Sequence, residues 1–158
     1  MAKTYTLGII GCGKVAHLHA QAINNIQSAK LTGVWSRSVS SAETFARQYD
    51  VKAFRNITEM VNEASIDLVI VCTPHPFHKD PTLEAANAGA HILVEKPLAS
   101  SLEDCDAMIE SCRKARVRLG VISQRRWYAP VVRVKEAIVE GKIGKPVLAT
   151  INMLGWRD

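Results

Sequence analysis

The sequence predicts a doubly wound α/β fold, in which one parallel sheet carries helices on both faces. Six short apolar segments alternate with segments of helical periodicity, as in consecutive right-handed βαβ units. Residues 68–71 read Leu-Val-Ile-Val, and an unbroken apolar run is typical of a strand covered on both faces. The first apolar segment ends in a glycine-rich turn, Gly11-Cys12-Gly13, and a helical pattern follows it.

The predicted strands comprise residues 5–10, 30–35, 53–54, 68–71, 91–94 and 119–122. The first helix starts at Val15, and its 3-4-4 spacing of apolar residues predicts a buried stripe of Val15, Leu18, Ala22 and Ile26. A second helix is predicted over 41–48 and a short third helix from residue 58. These elements alternate as a parallel sheet with crossover helices requires.

Start and stop signals delimit the next two helices. Asp80 is a suitable N-cap with Pro81 at the first helical position, and Gly89 follows the last turn. Ser101 and Asp104 form a capping pair for the next helix. Its spacing predicts a buried stripe of Leu102, Cys105, Ile109 and Cys112.

The pattern changes after Gln124. A helix is predicted over about 130–140, followed by a turn over 141–146 and a strand over 147–154 that has no partner later in the chain. We therefore expect a first domain over residues 1–124. Residues 125–158 would supply the linking helix and the first strand of an α+β domain that is otherwise absent.

The positive charge is concentrated in the last third of the chain. The net charge is +5, and residues 1–112 hold 9 basic and 12 acidic side chains, whereas residues 113–157 hold 11 basic and 2 acidic ones. A polyanion-binding surface would explain this distribution, and so would a solvated face or a lost interdomain surface. The phosphates of a dinucleotide, for which the glycine turn below provides the evidence, or a lost interdomain surface explain the charge better than DNA, so nucleic acid is not the expected partner.

The cysteines and histidines do not predict a disulfide framework or a metal site. The four cysteines have no C-x-x-C spacing. Cys72, His75 and His78 lie close together, but the sequence shows no fourth ligand. There is no membrane-spanning run and no secretion signal in the sequence. We expect reduced cysteines, no metal, no membrane contact and a cytoplasmic location.

The glycine turn matches the dinucleotide fingerprint G-x-G-x-x-A over residues 11–16. The first glycine permits a tight turn, the second lets the backbone approach a pyrophosphate, and Ala16 allows close packing of helix on strand. Free N–H groups of the first helical turn would face the phosphates. The sequence thus predicts a Rossmann fold that binds a dinucleotide through Gly11, Cys12, Gly13, Lys14 and Val15.

The end of the second strand bears on the choice between NAD and NADP. NAD-binding versions of the fold usually place a carboxylate there, whereas this chain reads Ser36-Arg37-Ser38 and its next carboxylate is Glu43. Arg37 could pair with a 2′-phosphate, and both serines could donate hydrogen bonds to it. NADP is therefore favoured. Stacking of Arg37 on the adenine would leave NAD acceptable.

Four motifs together resemble the Gfo/Idh/MocA oxidoreductases. They are G-x-G-x-x-A, the T-P-x-x-x-H stretch that starts at Thr73, E-K-P-L-A from Glu95, and the later G-K-I-G. The resemblance covers essentially the whole chain. It implies a nicotinamide enzyme that oxidises or reduces a carbon–oxygen bond of a sugar, cyclitol or similar polyol, with a second domain that completes the site. A homo-oligomer is expected when that domain is present.

The resemblance also implies site residues at the ends of later strands. Lys96 would be the catalytic-network lysine beside the nicotinamide and the substrate hydroxyl, and the bond before Pro97 is implied to be cis. Partial desolvation at the end of a strand would favour the neutral amine that proton transfer needs. The remaining implied cofactor contacts are Cys72, Thr73, Pro74, His75, His78, Glu95, Lys96, Gln124, Trp156 and Arg157.

Two of these implied contacts leave alternatives open. His75 stands where the family commonly has an asparagine, and His78 would either contact the cofactor or cap the following helix. His17 and His19 are two residues apart, so they face different sides of the first helix, and we expect structural or surface roles for them. Gln124 opens an Arg-aromatic segment that also resembles a platform for single-stranded nucleic acid.

The family's second domain supplies further acid–base groups, and this chain ends before any such residues. We therefore expect a cofactor-binding domain that is inactive by itself. A regulatory NAD(P)-binding module is the alternative, and a nucleic-acid-binding domain is a weaker one.

Overall fold

The computed structural model describes residues 3–152. The chain divides into two units, Met1–Ile122 and Ser123–Asp158. This division falls two residues before the boundary at residue 124 that the sequence analysis placed. The first unit holds all of the strands in the described range.

A six-stranded sheet forms the centre of the first unit. Its strands are β1 (Tyr5–Ile10), β2 (Ala29–Trp35), β3 (Lys52–Phe54), β4 (Leu68–Val71), β5 (His91–Val94) and β6 (Leu119–Val121). Their order is β3-β2-β1-β4-β5-β6, and every neighbouring pair is parallel. The order reverses between β1 and β4, which is where doubly wound sheets bind ligands at their carboxyl edge. The predicted fold class is confirmed.

Helices cover both faces of this sheet. They are α1 (Lys14–Asn24), α2 (Val39–Tyr49), α3 (Ile57–Glu63), α4 (Lys79–Asn87) and α5 (Leu102–Lys114). One core cluster packs α1 and α2 against β1 and β2, and a second cluster packs α3, α4 and α5 on the opposite face. A one-turn 3₁₀ helix, His75–Phe77, lies between β4 and α4.

The buried face of α1 differs from the predicted stripe. Ala16, Ala20 and Ile23 are the buried residues, whereas Leu18 is 64% exposed and Ile26 is 50% exposed. Small residues let the helix backbone lie close to the sheet behind the glycine turn, so the larger apolar side chains remain on the outer flank. The stripe prediction was wrong because Ala16, Ala20 and Ile23 have a 4-3 spacing that is as typical of a helix as the spacing it used.

The stripe of α5 was also partly wrong. Met108 and Cys112 are buried, whereas Leu102 is 79% exposed and Ile109 is 51% exposed. Met108 and Ile109 are adjacent apolar residues, and periodicity does not distinguish which of the two faces the core. Tertiary packing decides it, because Met108 belongs to the core cluster that also holds Ala85 and Ala86 of α4.

Helix ends follow local chemistry more closely. Ser101 accepts a hydrogen bond from the Asp104 N–H at 3.1 Å, so this predicted cap is confirmed. Gly89 ends its helix with φ of +95°. The helix α4 begins at Lys79, with Asp80 and Pro81 inside its first turn, rather than after an Asp80 cap.

The second unit contains a one-turn 3₁₀ helix, Gln124–Trp127, and the helix α6 (Ala129–Val139). The predicted strand over 147–154 is absent from residues 147–152, and its last two residues lie outside the described range. A strand needs a hydrogen-bonded neighbour, and its backbone finds none here. Over residues 3–152, no helix is long and apolar enough to cross a membrane.

Candidate functional site

The turn after β1 lies where three strand ends meet. The Gly11 N–H donates to the Trp35 carbonyl at the end of β2, at 2.7 Å, and the Cys72 N–H donates to the Ile10 carbonyl, also at 2.7 Å. Gly11 has φ of +93°, and a Cβ there would lie 2.8 Å from the Thr73 nitrogen. The fold of the chain itself therefore requires glycine at this position.

Gly13 differs from Gly11 in this respect. Its backbone is extended, with φ of −87°, and a Cβ built there would meet nothing within 4 Å. Nothing in the protein's own packing explains the missing side chain. The space beside Gly13 fits the close approach of a pyrophosphate, so the residues present are compatible with a bound dinucleotide.

The N-terminus of α1 is open. Gly13 provides no side-chain cap, and the first turn holds no acidic residue. In contrast, α2, α3 and α5 begin with the capping side chains Ser38, Asn56 and Ser101. The Ala16 N–H donates to the Gly13 carbonyl at 3.0 Å, which leaves the N–H groups of Lys14 and Val15 for an anion, and the positive end of the helix dipole favours one.

A cleft of about 610 Å³ extends from this turn along the carboxyl edge of the sheet. Eleven of the predicted cofactor residues line it: Gly11, Cys12, Gly13, Lys14, Val15, Ser36, Arg37, Ser38, Cys72, Thr73 and Pro74. Five further residues that the sequence analysis missed complete the lining: Trp35, Ser41, Phe77, Asp80 and Pro81. Trp35 and Ser41 flank the predicted Ser36–Ser38 segment, and the other three residues follow β4. Their position after a strand end was the sequence signal that could have identified them as lining residues.

Arg37 and Phe77 meet at the rim of the cleft. The Arg37 guanidinium carbon lies 5.3 Å from the centroid of the Phe77 ring, within the range of a cation–π contact. The Thr73 hydroxyl donates to the Phe77 carbonyl at 2.8 Å and so holds the one-turn helix that carries this ring. A flat adenine could stack against either group.

The two cysteines of the cleft are neutral thiols. Burial raises the pKa of Cys12 to about 11. Burial, followed by the charge of Glu95, raises the pKa of Cys72 to about 12. Both groups remain protonated near neutral pH, so they contribute packing and not a nucleophile.

His78 is buried and faces two loops instead of the cleft. One ring nitrogen lies 2.7 Å from the Thr73 carbonyl, and the other lies 3.0 Å from the Pro97 carbonyl and 3.1 Å from that of Leu98. Its side chain makes no capping hydrogen bond, although α4 starts at the next residue. The expected capping role is therefore wrong, and the cofactor contact stays a prediction for a residue that does not line the cleft. The His78 side chain links the loop after β4 to the loop after β5.

Carbonyl oxygens only accept hydrogen bonds. The His78 ring is therefore the donor wherever one of its nitrogens hydrogen-bonds to these carbonyl groups. The residue is 1% exposed, so it forms a fixed polar link inside the protein.

Lys96 follows β5, and its side chain is exposed. The partial desolvation expected from the sequence is therefore not found. Neither Lys96 nor Glu95 lines the cleft, and the exposed His75 does not line it either. The Lys96–Pro97 peptide bond is cis, as the resemblance implies.

Glu95 makes a contact that the sequence analysis did not predict. Its Oε1 lies 2.9 Å from His19 Nε2, and its Oε2 accepts the Lys96 N–H at 3.1 Å. His17 faces the opposite side of α1, where its ring packs on Phe45 and Tyr49 of α2. The two histidines thus face different sides of α1, as expected, but His19 contacts Glu95, the neighbour of the predicted catalytic residue Lys96.

The remaining predicted residues lie outside the first unit. Gln124 begins the one-turn helix of the second unit. Trp156 and Arg157 lie outside the described residues. From Lys3 to Asn152, no group of three or more His, Cys, Asp or Glu side chains is arranged to hold a metal ion.

Strand order, glycine turn and open helix end together define a class, the dinucleotide-binding Rossmann domains. Residues 5–123 match the Gfo/Idh/MocA family, which is described as an oxidoreductase family with an NAD-binding Rossmann fold. The chain belongs to this family.

Relatives and solved structures agree with this assignment. Glucose-6-phosphate 3-dehydrogenase of Bacillus subtilis is 33% identical over 138 residues, which cover 87% of this chain and 39% of that protein. The WlbA dehydrogenase of Bordetella pertussis, solved with NADH and UDP-GlcNAcA, superposes with a TM-score of 0.86 at 29% identity, covering 92% of this chain and 42% of that one.

A third similarity is to scyllo-inositol dehydrogenase of Lactobacillus casei, solved with NAD(H) and scyllo-inositol. Its TM-score is 0.81 at 29% identity, covering 90% of this chain and 43% of that one. The chain spans between 39% and 48% of the length of the curated relatives it matches.

Proposed function

We propose that this chain is the cofactor-binding part of an oxidoreductase that transfers hydride to or from a carbon of a sugar, cyclitol or related polyol. The observation that carries the proposal is the bare, uncapped turn at Gly13, which opens into the cleft at the carboxyl edge of the sheet. Two relatives are named as dehydrogenases of a sugar phosphate and of inositol, and these names support a sugar or cyclitol as the substrate.

In this proposal, residues at different places along the edge of the sheet bind different parts of the dinucleotide. The α1 N–H groups and Gly13 bind the pyrophosphate, and the rim residues Arg37 and Phe77 hold the adenine half. A bound nicotinamide supplies the hydride acceptor or donor. Lys96 takes the proton of the substrate hydroxyl during oxidation and returns it during reduction.

The second unit would begin the domain that holds the substrate, and Gln124, Trp156 and Arg157 are proposed as further cofactor contacts. The homo-oligomer and the cytoplasmic location expected from the sequence belong to the same proposal. The exposed position of Lys96 fits a site that a second domain completes.

Direct binding tests this proposal. NADH and NADPH are titrated into the 158-residue chain by calorimetry, and saturable binding of at least one of them is expected. Single-stranded DNA titrated under the same conditions serves as the comparison, because the chain's positive charge allows it. DNA binding that neither dinucleotide displaces, together with no dinucleotide binding, would contradict the proposal.

We propose NADP as the preferred cofactor. No carboxylate follows β2 directly, and Ser36, Arg37 and Ser38 line the cleft there. Asp80 also lines the cleft, but it belongs to α4. Arg37 would form a charge-assisted hydrogen bond to a 2′-phosphate, which the NAD ribose lacks.

We predict that Arg37→Ala weakens NADPH binding about tenfold or more while changing NADH affinity by less than about threefold. Affinities measured by calorimetry check this. Arg47→Ala is the matched control, because Arg47 lies on α2 and its guanidinium donates to Thr44 instead. Clearly tighter NADH binding by the unmodified chain would refute the NADP preference.

We predict that Lys96→Ala lowers kcat of the complete enzyme about a hundredfold, because proton transfer loses its positioned amine. Cofactor affinity is expected to change little. Lys79→Ala is the control. Lys79 does not line the cleft, and its Nζ lies 2.7 Å from Asp104 Oδ1. Turnover that survives the loss of Lys96 would favour the regulatory alternative.

A further inference from the structure

His19 and Glu95 form a half-buried pair between two elements that are distant in the sequence. Their side chains are 18% and 16% exposed, and 76 positions separate them. His19 belongs to α1, and Glu95 follows β5, with the end of β4 lying between β1 and β5 in the sheet. A carboxylate so far removed from water needs a hydrogen-bond partner, and His19 provides one.

The second carboxylate oxygen of Glu95 has a different partner. It accepts the backbone N–H of Lys96 at 3.1 Å. One carboxylate therefore joins the side chain of His19 to the backbone of the residue that we propose to move a proton. Removing His19 would release one oxygen of Glu95, and the side chain could then rotate toward solvent.

The other end of the same loop is held separately. The ring of His78 contacts the carbonyl groups of Pro97 and Leu98. The segment 95–98 is thus held from two sides, by His19 through Glu95 and by His78 directly. Only the His19 side connects this segment to the helix whose N-terminus faces the proposed pyrophosphate site.

The position of His19 on α1 relates the Lys96 segment to the proposed pyrophosphate site. His19 stands five residues after the first helical residue, Lys14, or ~7.5 Å along the axis. A single rigid helix thus presents its N-terminus to the pyrophosphate and a side chain to the loop of Lys96. The distance between the two halves of a bound dinucleotide site would be fixed by that helix.

We infer that His19 is a positioning residue, which acts through the Glu95 carboxylate to hold the Lys96 segment in register with the pyrophosphate turn. The inference rests on the proposed function, because it assigns the Lys96 segment to the nicotinamide end of the cofactor. It predicts that His19 influences binding of the nicotinamide but not of the rest of the dinucleotide.

The test compares NADH with ADP-ribose, which lacks only the nicotinamide. In the 158-residue chain, His19→Leu is expected to weaken NADH binding about fivefold and ADP-ribose binding less than about twofold. His19→Gln keeps an N–H donor and is expected to restore most of the NADH affinity. His17→Leu is the matched control on the same helix, and it is expected to leave the ratio of the two affinities unchanged.

Hydrogen exchange of residues 94–98 provides a second measurement that needs no ligand. The Lys96 amide is expected to exchange faster in His19→Leu than in the unmodified chain, and His17→Leu is expected not to change it. If His19→Leu does not fold, Glu95→Ala breaks the same pair from its other side, and the same selective loss of NADH affinity is expected.

Equal loss of NADH and ADP-ribose affinity in His19→Leu, or no loss of either, would overturn the inference. An unmodified chain that binds neither ligand would instead contradict the proposed function. In that case unchanged exchange at the Lys96 amide in His19→Leu would overturn the positioning role, and faster exchange would support it.

Discussion

Gly13→Ala is expected to fold normally and to lose most of its dinucleotide affinity. The extended backbone at Gly13 accepts any residue, and the new methyl group would meet no protein atom within 4 Å. We therefore expect stability to change by less than about 1 kcal/mol. The methyl group would occupy the space that the pyrophosphate needs, and such overpacking costs about 1–3 kcal/mol, or about five- to 150-fold in affinity.

Gly11→Ala is the matched partner of this experiment, and it is expected to lose stability where Gly13→Ala keeps it. Alanine would have to adopt φ of +93° with its Cβ 2.8 Å from the Thr73 nitrogen and 2.9 Å from the Cys72 carbonyl carbon. Backbone strain and the clash with backbone atoms together are expected to lower the free energy of unfolding by about 3 kcal/mol or more.

Urea denaturation measures the stability of the two variants, and calorimetry with NADPH and NADH measures their affinity. The two glycines are two residues apart, so a difference between them reports position and not general damage to the turn. Gly13→Ala with full affinity for both dinucleotides would contradict the assignment of the space beside Gly13 to a pyrophosphate.

His78→Leu is expected to destabilise the first unit by about 3 kcal/mol. The substitution keeps a side chain of similar size but leaves the carbonyl groups of Thr73, Pro97 and Leu98 without the ring that contacts them. Each buried acceptor that loses its partner costs about 1–3 kcal/mol. The loops after β4 and β5 would also lose their direct link.

The control is His75→Leu in the neighbouring one-turn helix. His75 is exposed, so its replacement should change stability by less than about 0.5 kcal/mol. Urea denaturation of both variants, followed by tryptophan fluorescence, makes the comparison. A His78→Leu chain as stable as the unmodified one would show that His78 does not hold these loops.

Local features account for what could be predicted. The unbroken apolar run of β4, the tight turn at Gly11 and the cap at Ser101 each depend on a few neighbouring residues, and each of these predictions was confirmed. The proposed cofactor residues up to Pro74 line one cleft because the ends of parallel strands meet at one edge of the sheet.

Packing accounts for what was missed. The periodicity of α1 and α5 indicated helices correctly but selected residues that proved exposed, such as Leu18 and Leu102. A sequence pattern gives the type of element, whereas the face that it buries depends on how closely its neighbours approach. The strand predicted after residue 146 failed in residues 147–152 for a related reason, because no neighbouring strand pairs with it.

The sequence by itself determined the order of strands and helices along the chain and the turn with its open helix end. It thereby determined the edge of the sheet where the cleft forms. Only the tertiary structure decided that His78 faces two loops, that Phe77 meets Arg37, and that His19 meets Glu95. These contacts join residues that are between 5 and 76 positions apart. They depend on the order of the strands within the sheet and on the rotation of the helices against it. Local periodicity predicts neither.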